Sequence, residues 1–380
     1  MSLAFSAIMA LTQDVAAPYI CEIAPVNPNP ERYVELNGQI VAIADFQDLY
    51  DEIGQSYGDP FDFVWAPVSQ EFNGELRMAK WNAAASRIYV GGQVSLAYSE
   101  NGTEWFTELG PGSIPLPVVG SAAGFFFAAD NDEIYEHNGS AWAFAGNGPS
   151  QVFGFAKIGS RIVAIGDGGG LSSVIGGAWS FTSPFLTTLV LNAISSNEMF
   201  GVVVGEGGEI HRSTNATTWA AVTNPNIDDL RCVHVVGSVV IAAGENGSIL
   251  RSQDDGQTFT EVARIAGVGT FTGISRGSVF GNLVWIAITD QGKVFFSADE
   301  GLNWNQSTDL SARFKPQGNQ VMDYIAGNFY IPGFDWATSK SVVLRISASS
   351  VGYDPQTHFK LPNLQPPGGA GFLKYFMRRP

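Results

Sequence analysis

The chain has 380 residues, 45% hydrophobic and only 15% charged, with a formal net charge of −16. That composition excludes a disordered chain, and the negative balance excludes a nucleic-acid binder working through the phosphate backbone. The 44 Gly and 26 Phe suit many short strands joined by tight turns.

Residues 1–17 carry an apolar patch without a basic n-region, so an N-terminal arm is expected there and not a signal peptide. No run approaches the roughly 18 apolar residues of a spanning helix, and no membrane insertion is expected. Two cysteines, Cys21 and Cys232, make no disulfide framework. They fit a reducing cytoplasm and leave one bridge open. In "AIADFQDLYDEIGQSYG", Phe46, Leu49, Tyr50 and Ile53 fall at i, i+3, i+4 and i+7. This spacing predicts a helix capped by Gly54.

From residue 61 onward the chain repeats. "SQDDGQTF" holds Ser252, Asp254, Gly256 and Phe259, and "SADEGLNW" holds Ser297, Asp299, Gly301 and Trp304. Shortened copies are "SENGTEW" and "STNATTW"; degenerate ones end at Trp142 and Trp179. The aromatic endpoints Trp105, Trp142, Trp179, Trp219, Phe259 and Trp304 are spaced by 37, 37, 40, 40 and 45 residues. Each is preceded by an apolar run, a Gly- or Asp-rich turn and a second apolar segment, which reads as a β-hairpin. Four strands per ~40 residues match a propeller blade. A last hairpin, "GNFYIPGFDWATSKSVVLRIS", has no signature after it. Trp65 lies 40 residues before Trp105. The expectation is therefore a mainly β, seven-bladed propeller over residues 61–351, its ring closed by the Trp65 strand. The signature resembles the Asp-box (BNR) repeat of sialidases and of many non-enzymatic propellers. Its Asp bonds backbone amides, its Gly takes positive φ, and its aromatic buries a large area.

The flanks carry other motifs. "PYICEIAP" is followed by Glu35-Leu36-Asn37-Gly38-Gln39 and then by Leu49 to Asp59, "LYDEIGQSYGD". Near the other end stand "THFKLPNL", with Phe359, Leu361, Pro362, Asn363 and Leu364, and "GFLKYFMRRP". In this order they resemble the phage tail collar domain, with Tyr33 where the family has Trp and no Cys before Asn37. The resemblance implies a small α+β collar-like domain, residues 18–60 plus 352–380, split by the inserted propeller.

It also implies a bacteriophage tail-tip or tail-fibre protein. Its collar would attach to baseplate or tail proteins and form a homotrimer. Its propeller would recognise a glycan or protein receptor on the host cell. The location implied is the virion tail, assembled in the bacterial cytoplasm. The alternatives are a sialidase-like glycan-processing enzyme on the same propeller and a purely structural baseplate component.

Catalysis finds little support in the residues. Arg212 and Arg251 share one repeat slot, four His show no metal-ligand spacing, and no nucleophile elbow or P-loop occurs. No catalytic residue, metal or cofactor is expected. The first hairpin turn holds Asp130, Asp167, Glu206, Glu245 and Asp290 in one slot. Acidic residues suit exposed turns, and five of them would also give that end of the propeller a negative potential suited to a cationic or cation-bridged ligand. Phe334 and Trp336 occupy the equivalent turn of the last hairpin as candidate aromatic contacts.

Overall fold

The computed structural model describes residues 66–67, 72 and 74–347, apart from short loop stretches at 94–95, 109, 111–115, 123–124, 170, 175–178, 180–185 and 280–281. It also describes the short strands 21–24, 33–35, 40–42, 358–360 and 374–378. The chain divides into two compact units, Met1–Phe63 with Val351–Pro380, and Val64–Ser350.

The larger unit is a β-propeller with six regular blades. Blade 1 is Leu76–Asn82, Arg87–Gly92, Leu96–Ser99 and Phe106–Glu108. Blade 2 is Val118–Ala122, Phe125–Asp130, Glu133–His137 and Trp142–Asn147. Blade 3 shows three strands among the described residues, Val152–Ile158, Arg161–Gly166 and Leu171–Val174. Blade 4 is Leu191–Ser196, Gly201–Gly205, Ile210–Ser213 and Ala220–Ala221. Blade 5 is Leu230–Val236, Val239–Gly244, Ser248–Ser252 and Thr260–Arg264. Blade 6 is Phe271–Val279, Asn282–Thr289, Lys293–Ser297 and Asn305–Asp309. Each is an antiparallel meander of consecutive strands. The second strands are almost wholly apolar ("GVVVG", "VVIAAG") because each is covered on both faces by neighbouring blades.

A sheet of different build fills the gap between blades 6 and 1. Its strands Asn328–Asp335 and Lys340–Ser347 form a hairpin. Two separate short strands, Phe314–Pro316 and Asp323–Ile325, share the free side of the first. Ala66–Pro67 pairs with Arg345 and Leu344 on the other side. Asp323–Ile325 packs against the first strands of blades 6 and 1. Buried clusters fill the spaces between successive sheets; one runs from Phe72 and Trp105 to Tyr330 and Val343.

The expectation of a seven-bladed propeller inserted into an α+β domain is therefore corrected. Six sheets carry the meander. The C-terminal sheet has no signature corner and no consecutive fourth strand; Ala66–Pro67 takes that edge, and the first strand is cut in two by residues 317–322. Among the described residues there is no α-helix, only single 3-10 turns at Asp167–Gly169, Glu206–Gly208 and Glu245–Gly247. The helix expected around Phe46 to Ile53, the arm 1–17, Trp65 and the Leu361–Leu364 motif lie outside the described residues. In the smaller unit the described elements are all strands. Cys21–Ala24 and Tyr33–Glu35 flank Lys374–Arg378, and Ile40–Ala42 pairs with His358–Lys360.

The repeated corners work by hydrogen bonding. Ser252 Oγ accepts from Gly256 N at 3.0 Å and donates to Asp254 Oδ1 at 2.7 Å, which accepts from Gln257 N and Thr258 N at 3.1 and 3.0 Å. Ser297, Asp299 and Gly301 repeat this, and Trp304 Nε1 donates to Gly301 O at 3.1 Å. Phe259 is buried between blades 4 and 5. In blade 2, His137 Nδ1 takes the serine's part, accepting from Gly139 N at 3.1 Å. Arg212 Nε donates to Asp255 O at 2.6 Å and Arg251 Nε to Glu300 O at 2.8 Å. Each arginine thus ties its blade to the corner of the next.

The corners are acid-sensitive. These hydrogen bonds outweigh burial and hold the Asp254 carboxyl down at about 2, against an ordinary 3.8. A depressed carboxyl adds stability above its unfolded pKa and loses it as pH falls through the folded one. The corner contribution should vanish between about pH 4 and 2. Urea midpoints of wild type and Asp254→Asn across that range check this; the variant should show the shallower slope.

Candidate functional site

The first strands line the propeller axis, and five of them share an irregularity. Opposite the last residues of the second strand, one extra residue is inserted among Arg77–Met78, and at Phe153, Asn192, Arg231 and Thr272. Such a bulge re-aims a side chain that regular pleating would send between blades. Asn192 Oδ1 accepts from Arg231 Nη1 at 3.3 Å and from Asn319 Nδ2 at 3.2 Å. Gln320 Nε2 reaches Ile194 O at 3.1 Å. Asn319 and Gln320 belong to the segment that splits the composite sheet, whereas Asn192 and Ile194 belong to blade 4, on the far side of the ring. These bonds bridge the axis.

Below that bridge lies a cavity of about 400 Å³. Its wall is made of Met78, Val119, Phe153, Phe155 and Ile194, with Gln320 beside them. Its rim is polar. Lys80 Nζ meets Asp323 Oδ2 at 2.9 Å, and Lys157 Nζ meets Glu198 Oε2 at 2.8 Å. Ser121, Ser196, His234 and Trp81 complete it. Lys80, Lys157 and Ser196 stand near the C-terminal ends of first strands, and Glu198 is in a first-to-second turn. In a meander that end also carries the third-to-fourth turns, so the rim opens toward the signature corners.

His234 is neutral at pH 7. Burial, opposed by the Asp323 charge and helped by those of Lys80 and Arg276, lowers its pKa to about 4. The unfolded chain, with a value near 6.5, binds the proton first. This contribution to stability is complete above about pH 6.5 and is lost as pH falls toward 4, on the order of 2 kcal/mol after allowance for cavity water. His234→Gln should flatten the pH dependence of the melting temperature in that window.

The acidic turn residues stand at the opposite end of the blades, and the turns use most of them. Backbone N–H groups of Asp167, Glu206 and Glu245 donate to the carbonyls of Gln151, Val190 and Asp229 at 3.0, 3.0 and 2.9 Å. Asp167 Oδ1 accepts from Gly168 N, Asp290 Oδ1 from Thr270 N, and Glu245 pairs with Arg231 at 3.3 Å. Asp130 accepts from Asn131, and burial beside Glu133 and Asp132 raises its pKa. Phe334 and Trp336 pack at 4.8 Å between ring centroids, with Lys315 Nζ 5.8 Å from the exposed Trp336 ring.

No family model and no curated protein matches the sequence. Solved structures do. YCF48 bound to D1 peptide superposes with a TM-score of 0.57 at 13% identity, covering 75% of this chain and 95% of that one. YCF48 from Cyanidioschyzon merolae gives 0.55 at 10%, covering 76% and 100%. The RRP9 WD40 repeats give 0.55 at 10%, covering 74% and 98%. The likeness is one of fold. It shows a β-propeller and leaves the chemistry to this chain's own residues.

The sequence reading missed Lys80, Lys157, Glu198, His234 and Asp323. For three of them a signal was present, a polar residue late in a largely apolar first strand: Lys80 in "LRMAKWN", Lys157 in "VFGFAKI" and His234 in "LRCVHVV".

Proposed function

We propose that the chain is a bacteriophage tail-tip or tail-fibre protein. The unit made from the two chain ends attaches to the baseplate, and the propeller recognises the host cell surface without catalysis. The observation that carries this reading is the pairing of Val41 with Phe359 and of Val34 with Met377. These pairs join the segment around Glu35–Gln39 to the "FKLPNL" and "KYFMRR" segments, as a collar split by an insertion requires. A sialidase-like site would need a cluster of arginines for a substrate carboxylate, and Arg212 and Arg251, which share one repeat slot, donate instead to blade-corner carbonyls. That supports binding over glycan processing, and the YCF48 propeller with its bound D1 peptide is a binding precedent for the fold.

Antibody against the chain, with gold-labelled second antibody, should mark the tail tips of virions from the encoding phage. Absence of the chain from purified particles would refute the reading. The acidic turns add a second, electrostatic expectation. Changing Asp167, Glu206 and Asp290 together to lysine should weaken cell binding several-fold at low salt, and less at high salt. Unchanged binding at low salt removes that end of the propeller from recognition.

A further inference from the structure

We infer that the axial cavity is a binding site for the terminal unit of a neutral, hydroxyl-rich saccharide. This rests on the proposed recognition role and adds to it a ligand class and a site.

The shape comes first. A volume of about 400 Å³ lies near the lower end of small-molecule sites and is too small for a protein loop. The Asn319–Asn192–Arg231 bridge and Gln320 close it at one end. A ligand therefore enters by its end.

The charge pattern comes second. Two ammonium groups and two carboxylates stand on the rim, already matched as Lys80–Asp323 and Lys157–Glu198. An anion would be repelled by Asp323 and Glu198 as strongly as it was drawn to the lysines, and a cation the reverse. A neutral partner meets no such opposition. Each ammonium has three donors and gives one to its carboxylate. The remaining donors, beside carboxylate oxygens and the Ser121 hydroxyl, make an alternating donor–acceptor edge, while the Ser196 hydroxyl, bonded to Phe200 O and Glu198 N, holds the turn that carries Glu198. Neighbouring hydroxyls of a sugar ring, each both donor and acceptor, complement that edge.

The wall comes third. Phe153 and Phe155 in the wall, with Trp81 above them at the rim, offer aromatic surface, which suits the C–H face of a pyranose ring, while its hydroxyl edge meets the rim's polar groups. His234, neutral at pH 7, adds one donor and one acceptor without adding charge.

The test uses the full chain and free sugars, separately from any cell assay. Methyl glycosides of glucose, galactose and mannose are the neutral probes; N-acetylneuraminic acid and glucosamine are the charged controls. Saturation-transfer NMR should show a neutral glycoside bound and the controls unbound. Titration calorimetry should show the affinity falling at least tenfold in Lys157→Ala and in Ser121→Trp. Lys157 is partly exposed and paired only on the rim, and Ser121 faces the cavity, so both variants should melt like wild type. Binding of a charged control without a neutral glycoside overturns the inference, as does neutral binding that both folded variants retain. If no glycoside binds while the chain still holds to host cells, the cavity assignment falls and the recognition role stands. If glycosides bind as expected and virions lack the chain, the cavity stands and the tail assignment falls.

Discussion

Replacing Trp285 with alanine is expected to destabilise the propeller by about 3–5 kcal/mol, the cost of truncating a fully buried large aromatic side chain. Trp285 lies mid-strand in blade 6 and is 1% exposed. It packs in the cluster that joins blades 5 and 6, meets the His234 ring edge-on at 5.7 Å, and lies under the Arg276 guanidinium. Its indole N–H has no hydrogen-bond partner, so the variant breaks no hydrogen bond and sheds an unsatisfied buried donor, which offsets a little of the packing loss. The effect should reach the cavity too, because His234 loses the ring that holds it. Urea unfolding of Trp285→Ala and Trp285→Phe separates cavity formation from loss of shape. The phenylalanine should recover about half of the deficit. A Trp285→Ala midpoint equal to wild type would mean that blades 5 and 6 do not pack through this residue.

Replacing Gly244 with alanine should cost about 3 kcal/mol for a different reason. Gly244 ends the second strand of blade 5, just before Glu245. A Cβ there would overlap the Asp229 carbonyl oxygen, which accepts the Glu245 N–H at 2.9 Å. Gly166 and Gly205 face Gln151 O and Val190 O in the same way. These glycines are needed for close backbone approach where one blade connects to the next. The contrast is Gly237, whose added Cβ meets nothing within 4 Å; there only its positive φ of 59° opposes a side chain. Gly237→Asn should therefore cost under about 1 kcal/mol. Equal losses at the two positions, measured by denaturant midpoint, would show that backbone approach is not what Gly244 serves.

These two positions show what the sequence made legible. The corners were readable because Ser, Asp and Gly each do a local job at fixed spacing, and the hydrogen bonds at Ser252 and Ser297 are those jobs. The acidic slot was readable as a repeat because Gly166, Gly205 and Gly244 pin its position. Its use was less so, since Glu245 pairs with Arg231 across a bulge that no period-2 pattern displays. The count of blades was overestimated at seven because spacing counts units and not strand order. Nothing in "PQGNQVMDYIAG" announces that one first strand is cut in two and sends Asn319 and Gln320 across the axis. The cavity was illegible for the same reason. It is assembled from single residues, Lys80, Lys157, His234 and Asp323, each unremarked within its own strand and brought together only by closure of the ring.

The central claim is recognition without chemistry. It is tested most directly by mixing the purified full chain with a panel of bacterial strains, sedimenting the cells, and assaying both the pellet and the reducing ends released into solution. The account predicts that the chain pellets with strains the phage infects, that added surface polysaccharide from those strains frees it, and that no new reducing ends appear. Failure to pellet with any infected strain, or release of reducing sugar by the chain alone, would contradict it.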